Sequence, residues 1–462
     1  MHSSLTRSAI GLRLERQIRD HGSRIALHSE PEKLALTFSQ LGGRIGAWAQ
    51  ALRRAGVEEG QTAALATGNG PAFVELFFAL RSLDAPVLLL DESAPAAVAA
   101  GMGASWILHR EGSELCDVPD PRVRLGTLEP GLRVPSGTAL IKLSSGSTLA
   151  PRGACFAEEA LTEGIDHLLQ GMDIRPSDRV LVSIPLSHGY GFDNGVLSLA
   201  AGGTPLVLQP DVFPGSLLRT IREREVTFFP AVPPLIRALG QVTWPASHPL
   251  RRVISASAPL SREAADAFAR ASGLPVHQFL GSTETGGISF ESRPAESGAD
   301  GTVGFPLPGV RIELVDGERV RVHSNANRFA ILPEEPAGEA VDTGDRAAWT
   351  PEGRLRLLGR STLTANIGGI KVDLGALDSF FRGLPGVDEA AAVPVEDAAR
   401  GHRVVAYVET RTQTCERLLE LCRERLSERE VPSEIRVMSR LPRNARGKLD
   451  RGALSALAEE GR

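Results

Sequence analysis

The chain has 462 residues, with 51 basic against 56 acidic side chains and a formal net charge of −5. Hydrophobic residues make up 42% and charged residues 23%, which is globular composition and excludes a fibrous or disordered chain. The near-even charge balance, with no Lys/Arg-rich run, leaves no electrostatic footprint for a nucleic-acid partner.

The N-terminal stretch mixes polar residues with Arg7, Arg13, Glu15 and Arg16 and has no apolar run of leader type. Ala63–Ala66 is a short apolar run. Pro71 to Leu83 then reads as a helix with proline in its first turn. Its apolar part is broken by Glu75 and is too short to span a bilayer, so no membrane insertion is expected. Pro86 to Leu90 reads as a buried strand. The same beat returns with strands at Val180–Ile184 and Pro205–Leu208, a helix at Leu217–Arg224 and a strand at Val226–Phe229. Such alternation predicts a largely parallel sheet with helices on both faces. From Gly301 to Leu358 the pattern changes. Val310–Leu314, Arg319–His323 and Arg354–Leu358 are short alternating strands, which predict a small antiparallel layer. After Arg360 comes a compact α+β pattern: a helix at Leu374–Phe381, strands at Ala390–Val395 and Val404–Val408, and a helix at Cys415–Arg429. Cys116, Cys155, Cys415 and Cys422 have no metal-ligand spacing and suggest no disulfide framework, so a reduced, cytoplasmic protein is expected. The expectation is therefore an α/β protein. A large N-terminal domain, 1–360, holds helix-flanked sheets and a small β-layer, and a small α+β domain follows at 361–462.

Four short segments carry chemistry. Leu143-Ser144-Ser145-Gly146-Ser147-Thr148 follows an apolar strand and puts hydroxyls and free N–H groups on one loop, which can cradle phosphate oxygens. It lacks the Gly-Lys-Ser/Thr ending of a Walker loop, and a plain polar turn has the same composition. Leu280-Gly281-Ser282-Thr283-Glu284-Thr285-Gly286-Gly287 sets a carboxylate among hydroxyls, which suits Mg²⁺ bridging phosphates. Asp342-Thr343-Gly344-Asp345, followed by Leu358-Gly359-Arg360, offers a carboxylate for ribose hydroxyls, or simply a hairpin turn. Leu441 to Arg451 gathers Arg443, Arg446, Gly447 and Lys448, or is a solvated basic tail. Only four of the 51 basic residues are lysines: Lys33, Lys142, Lys371 and Lys448. Most surface positions accept either cation, so a surviving lysine marks a place where a compact ammonium on a flexible stem is wanted. Lys33 and Lys142 acquire no role from the sequence.

In this order, the four segments resemble the adenylate-forming superfamily: acyl-CoA synthetases, aryl-CoA ligases and the adenylation domains of peptide synthetases. The family's phosphate loop is similar to Ser144–Gly153, its Tyr-Gly-x-Thr-Glu to Leu280–Glu284, its Thr-Gly-Asp to Thr343–Asp345, its Gly-Arg to Gly359-Arg360, and its C-terminal Pro-Arg-x-x-x-Gly-Lys-x-Asp-Arg to Pro442–Arg451. Leu36–Leu41, Pro185–His188 and the adenine-side Ser257-Ala258-Pro259-Leu260 add weaker matches, so the resemblance runs from about residue 36 to 451.

The resemblance implies formation of an acyl-adenylate from a carboxylic acid and ATP with Mg²⁺. Transfer of the acyl group to the thiol of CoA or of a carrier-protein phosphopantetheine would follow, with a swing of the C-terminal domain between the steps. Ser144, Ser145, Gly146, Ser147, Thr148 and Arg152 would hold the phosphates. Ser257, Ala258, Pro259, Leu280 and Gly281 would flank the adenine, and Asp345 and Arg360 would bind the ribose. Thr283 would touch the α-phosphate, Glu284 would hold Mg²⁺, and Lys448 would bridge carboxylate and α-phosphate. His188, Tyr190, Phe192 and Asp193 would border the acid.

There are departures from the pattern. Leu149 replaces a glycine, Arg152 the loop lysine, and Leu280 an aromatic residue against adenine. Thr362 and Asn366 stand where the hinge region carries other residues, and Ala376 and Asp378 stand in place of two glutamates. The glycine-rich stretch His188–Gly195, with two aromatics, favours a fatty or aryl acid. Asp193 leaves a second reading open, because a buried carboxylate needs a cation and a substrate amino group could be one. A stand-alone amino-acid adenylating enzyme and a non-catalytic nucleotide or acyl-adenylate binder are the alternatives.

Overall fold

The computed structural model describes residues 8–94, 96–110, 120, 122–144, 152–294, 301–333, 338–360, 364–367, 370–397, 401–426, 430–444 and 448–460. The chain divides into two compact units, 1–313 with 321–341, and 314–320 with 342–462.

The first unit is built on two sheets. One runs in the order Thr302–Pro306, Gly286–Phe290, Val276–Ser282, Arg252–Ser255, Phe228–Ala231, Val180–Val182, Leu206–Leu208, Ile25–Ser29, Leu34–Thr37. Within this unit its middle pairings are parallel and are flanked on both sides by antiparallel ones. Alternate residues Leu181, Val207, Phe229, Val253 and Val276 meet Leu217, Ile221, Ile236, Leu239 and Phe268 from the helices Pro214–Glu223, Pro233–Leu239 and Arg262–Ser272. This is the inward half of a period-2 pattern packed on apolar helix stripes. The second sheet is seven-stranded, in the order Ala330–Leu332, Arg152–Phe156, Leu140–Ser144, Val87–Leu89, Ala63–Ala66, Trp106–Arg110, Val123–Thr127. Its central strands are buried along their whole length, as parallel strands covered on both faces must be. Among the described residues, no helix is long and apolar enough to cross a membrane.

The second unit carries a five-stranded sheet. Val387–Asp397 and Gly401–Thr410 form its long hairpin, with Thr364–Ile367, Ile370–Asp373 and Glu434–Met438 alongside. One face holds Phe381, Ala390, Ala406, Val408, Leu418 and Cys422 beneath the helices Leu374–Arg382 and Cys415–Arg425. The other holds Ala391, Val393, Val405 and Tyr407 beneath Leu454 and Ala458 of the helix Arg451–Glu460. The α/β class, with large helix-flanked sheets and a small α+β C-terminal sheet, is as the sequence predicts. Two details differ. Asp342–Asp345 reads as a turn by composition, yet it lies inside the strand Ala340–Trp349, where Gly344 takes φ +72° and lets the strand accommodate the irregularity. Several elements have no counterpart in the sequence reading, among them the helices Ala9–His21, Phe38–Arg54, Glu158–Gly171 and Arg262–Ser272 and the strands Ile25–Ser29, Leu34–Thr37 and Trp106–Arg110.

Candidate active site

The candidate loops leave from the carboxyl ends of strands, the usual ligand side of an open α/β sheet. Ser144 ends the strand Leu140–Ser144, and its backbone stands opposite Arg152, which opens the returning strand Arg152–Phe156. Ser145, Gly146, Ser147 and Thr148 lie outside the described residues. The strand Val276–Ser282 turns through Thr283–Thr285 into Gly286–Phe290, with Gly281 opposite Gly287 and Ser282 opposite Gly286. A Cβ on Gly281 would come within 2.8 Å of the Gly286 carbonyl oxygen, so this close approach requires glycine. The Glu284 N–H donates to Ser282 Oγ at 3.2 Å, and Thr285 Oγ1 donates to the Gly286 carbonyl at 3.1 Å. These bonds hold the turn and leave Thr283 and Glu284 half-buried at its rim.

The Arg328 N–H donates to the Glu284 carbonyl at 2.9 Å. Burial pushes the Arg328 guanidinium below its usual pKa, the Glu284 carboxylate opposes that, and Arg152 reinforces it. Glu284 and Arg152 thus both lie within electrostatic reach of Arg328, a residue that motif reading misses. Among the described residues no group of three His, Cys, Asp or Glu side chains could hold a metal by itself. A single carboxylate among hydroxyls fits Mg²⁺ that arrives on a nucleotide, because that ion keeps substrate oxygens and waters as most of its ligands.

On the adenine side, Ser257 follows the strand Arg252–Ser255 and has φ +72°, the left-handed region. Glycine would meet that backbone demand freely, and serine meets it at a cost of roughly 1 kcal/mol. Ala258 and Pro259 are exposed beside it. Leu280 is half-buried and stands opposite Ser289, next to a register shift before Gly281.

The acid-side residues lie on one broken helix. His188, half-buried, stands at the N-terminal end of Gly189–Phe192. A π-helical turn, Asp193–Leu197, and the helix Ser198–Gly202 follow. Single π turns are uncommon and concentrate at functional sites. Tyr190 stacks on Phe279 with centroids 5.6 Å apart. Phe192 is fully buried and meets Phe77 of the helix Pro71–Ser82 edge-on at 4.8 Å, so its ring packs against protein.

Asp193 corrects one expectation. Both its oxygens accept from Lys142 Nζ, at 2.7 and 2.8 Å, so the cation it needs comes from the chain itself. Burial raises the Asp193 pKa above the usual carboxylate range, and Lys142 pulls against that rise. A Cβ on Gly286 would lie 3.8 Å from Asp193 Oδ2, which puts this ion pair beside the Thr283–Glu284 turn.

Within the second unit, Asp345 and Arg360 stand directly opposite each other on the strands Ala340–Trp349 and Leu355–Arg360. The Asp345 N–H donates to Thr343 Oγ1 at 3.2 Å. Lys448 is held through its backbone: its N–H donates to Asn444 Oδ1 at 3.1 Å, and its carbonyl accepts the Asn444 N–H at 2.8 Å. Three residues on, Arg451 pairs with buried Asp378 and donates to the Ala392 carbonyl. The loop is thereby anchored to the central hairpin of its sheet. Arg446, Gly447 and Thr362 lie outside the described residues. The backbones of Asn366 and Lys371 face each other across Thr364–Ile367 and Ile370–Asp373.

The AMP-binding enzyme model matches residues 14–105 and 107–328, and the AMP-binding enzyme C-terminal domain model matches 376–448. Feruloyl-CoA synthase of Amycolatopsis sp is 26% identical, with 90% of this chain and 93% of that protein covered. Indoleacetate–CoA ligase of Aromatoleum aromaticum is 27% identical, with 91% and 85% covered. Tyrocidine synthase 3 of Brevibacillus parabrevis is 25% identical over 91% of this chain, which spans only 7% of that much longer protein. Among solved structures, ATP-bound MatB from Rhodopseudomonas palustris superposes with a TM-score of 0.82 at 21% identity, covering 100% of this chain and 99% of that one. The o-succinylbenzoate CoA synthetase of Bacillus subtilis with its acyl-adenylate gives 0.80 at 23%, covering 96% and 97%. Both likenesses are of fold. With the family model matching most of the first unit, well over half of the chain, and its C-terminal partner matching within the second, the chain belongs to the AMP-binding enzyme family.

Proposed function

We propose that this chain joins a carboxylic acid to ATP as an acyl-adenylate and then passes the acyl group to the thiol of CoA or of a carrier-protein phosphopantetheine. The observation that carries the reading is the adjacency of the Thr283–Glu284 turn to the Tyr190–Asp193 helix, which sets phosphate-type groups beside an aromatic-lined acid site. The acid is aryl or fatty. The Tyr190–Phe279 stack suits an apolar body, and two relatives matched over most of their own length are named for aromatic acids.

In the first step a carboxylate oxygen attacks the α-phosphorus, the bond to the β-phosphate breaks, and pyrophosphate leaves. Two anions must meet, so charge stabilisation and orientation dominate the barrier. Lys448 would bridge the two anions with a compact ammonium, where a guanidinium is wider. Thr283 would donate to the α-phosphate. Arg152, with Arg328 near it, would attract the leaving pyrophosphate, and Ser144–Thr148 would cradle it. Asp345 and Arg360 would take the ribose. Glu284 would hold Mg²⁺, which when bound neutralises phosphate charge. In the second step the thiolate attacks the acyl carbonyl and AMP leaves, and residues 361–462 would reorient between the steps.

The test is carboxylate-dependent ATP–pyrophosphate exchange with a panel of aryl, fatty and amino acids. Lys448→Ala should lower exchange by at least about 100-fold, a transition-state loss of about 3 kcal/mol, without moving the thermal midpoint. Near-normal exchange in that variant would overturn the role of Lys448. ATP binding with no exchange for any acid would establish a non-catalytic binder instead.

A further inference from the structure

We propose that Lys142 determines specificity, and that by occupying Asp193 it reserves the acid site for carboxylic acids without an amino group next to the carboxylate. The inference rests on the adenylation reading above and names its substrate class.

Lys142 lies on the strand Leu140–Ser144 and Asp193 opens the π turn, so two distant segments are brought together. The two residues are 4% and 7% exposed. The ammonium has three donor directions. Two go to the carboxylate oxygens at 2.7 and 2.8 Å, and the charge lies 4.9 Å from the centroid of the Phe156 ring and 5.9 Å from that of Phe192. The pair is therefore satisfied internally, by a bidentate contact and by aromatic faces that favour a cation. Asp193 also lies beside Gly286, three residues past Thr283 on one turn. On the adenylation reading, a substituent next to a carboxylate activated at Thr283 would meet this ion pair.

An ammonium in that place has two courses, both unfavourable. It can displace Lys142, which leaves a buried cation unpaired, or it can share Asp193 with Lys142 at close range. Either costs several kcal/mol, while a hydrogen in place of the amino group costs nothing. The chain's preference for arginine sharpens the point. The wide fork of arginine would not fit a point contact enclosed by two rings and a carboxylate, and the rare lysine is retained here.

Matched N-acyl sulfamoyladenosines test this without requiring turnover: 3-phenylpropanoyl against phenylalanyl, and octanoyl against 2-aminooctanoyl, each titrated calorimetrically into the full chain. The wild type should bind the amino-free member of at least one pair about 100-fold more tightly. Lys142→Met should narrow that ratio at least tenfold, because the freed Asp193 then recruits the ammonium. Should Lys142→Met not fold, Lys142→Gln, whose amide is one atom shorter than the ammonium arm and can still donate to Asp193 without a charge, carries the same expectation. Equal wild-type affinities within each pair would overturn the inference and leave the adenylation reading standing. So would a variant that weakens both members equally, because that outcome makes the pair purely structural. No binding of any analogue would overturn the adenylation reading itself.

Discussion

His277, on the strand that leads to Thr283, shows how burial fixes a protonation state next to the nucleotide side. It is 8% exposed, its Nδ1 lies 2.8 Å from the Glu291 carbonyl, and its ring stacks on Phe290. Burial, offset by that carbonyl and reinforced by Arg252 and Arg251, pushes its pKa down to about 4. The unfolded chain, with an ordinary histidine pKa of about 6.5, binds the proton first. The neutral ring's contribution is therefore fully present above pH 6.5 and is lost as pH falls toward 4, by up to ~3 kcal/mol. Between pH 7 and 5 the wild type should lose about 2 kcal/mol more stability than His277→Gln, read from urea midpoints. Equal losses would show that His277 already titrates normally in the fold. At this scale the sequence makes the contiguous parts of the site legible. Thr283, Glu284, Asp345 and Lys448, the residues proposed for nucleotide and acid, sit in short segments whose order and spacing carry the resemblance. Lys142 with Asp193, and Arg328 with Glu284, are joined only by tertiary packing. The scarcity of lysine singles out Lys142 but says nothing of its partner.

The helix Pro71–Ser82 is buried on nearly every side, yet it carries Glu75 at 0% exposure. The helix Phe38–Arg54 answers that charge from one face: Arg44 Nε donates at 2.6 Å, and Trp48 Nε1, one turn later, at 2.9 Å. That second helix is itself fixed by a capping box between Thr37 and Gln40. Burial still raises the Glu75 pKa, against the pull of Arg44 and Trp48. Glu75→Ala should cost about 3 kcal/mol, because Arg44 and the buried indole N–H of Trp48 both lose this carboxylate. Arg44→Met with Glu75→Leu should recover most of that loss. Paired chemical melts of the two variants check this, and a double variant as weak as the single one would mean that the pair contributes more than mutual neutralisation. Elements of this kind are legible because a long apolar run with proline at its start admits few alternatives. The strands Ile25–Ser29 and Leu34–Thr37 are short and near an edge, and the helix Ala9–His21 spreads arginines along its exposed side. Strands of four and five residues are too short for a period to stand out, whereas the Ile10, Leu14, Ile18 spacing of the helix is legible. Asp342–Asp345 misleads in the other direction, because turn-forming residues lie within a strand that Gly344 bends locally.

A protein that runs two half-reactions on one nucleotide needs a part that can reorient without unfolding, and such a part must own its core. The segment after Arg360 meets that condition. Phe381, Ala390, Val408, Leu418 and Cys422 pack together on one face of its sheet, and Ala391, Val405, Tyr407 and Leu454 on the other. Ala365, Val372, Leu377 and Val404 fill a third cluster. All of these come from the C-terminal segment itself. Asp378 adds a buried polar clasp: it accepts the Ala392 N–H at 2.6 Å and pairs with Arg451. That clasp joins the helix Leu374–Arg382, the strand Val387–Asp397 and the stem of the loop that bears Lys448. A fragment of residues 361–462 should therefore melt cooperatively by itself and give dispersed amide resonances. Asp378→Ala in that fragment should lower its stability by about 3 kcal/mol or more, because Arg451 would lose its carboxylate and Ala392 its acceptor. A fragment with no cooperative transition would show that this sheet depends on the first unit, and the reorientation proposed for the second half-reaction would lose its physical basis.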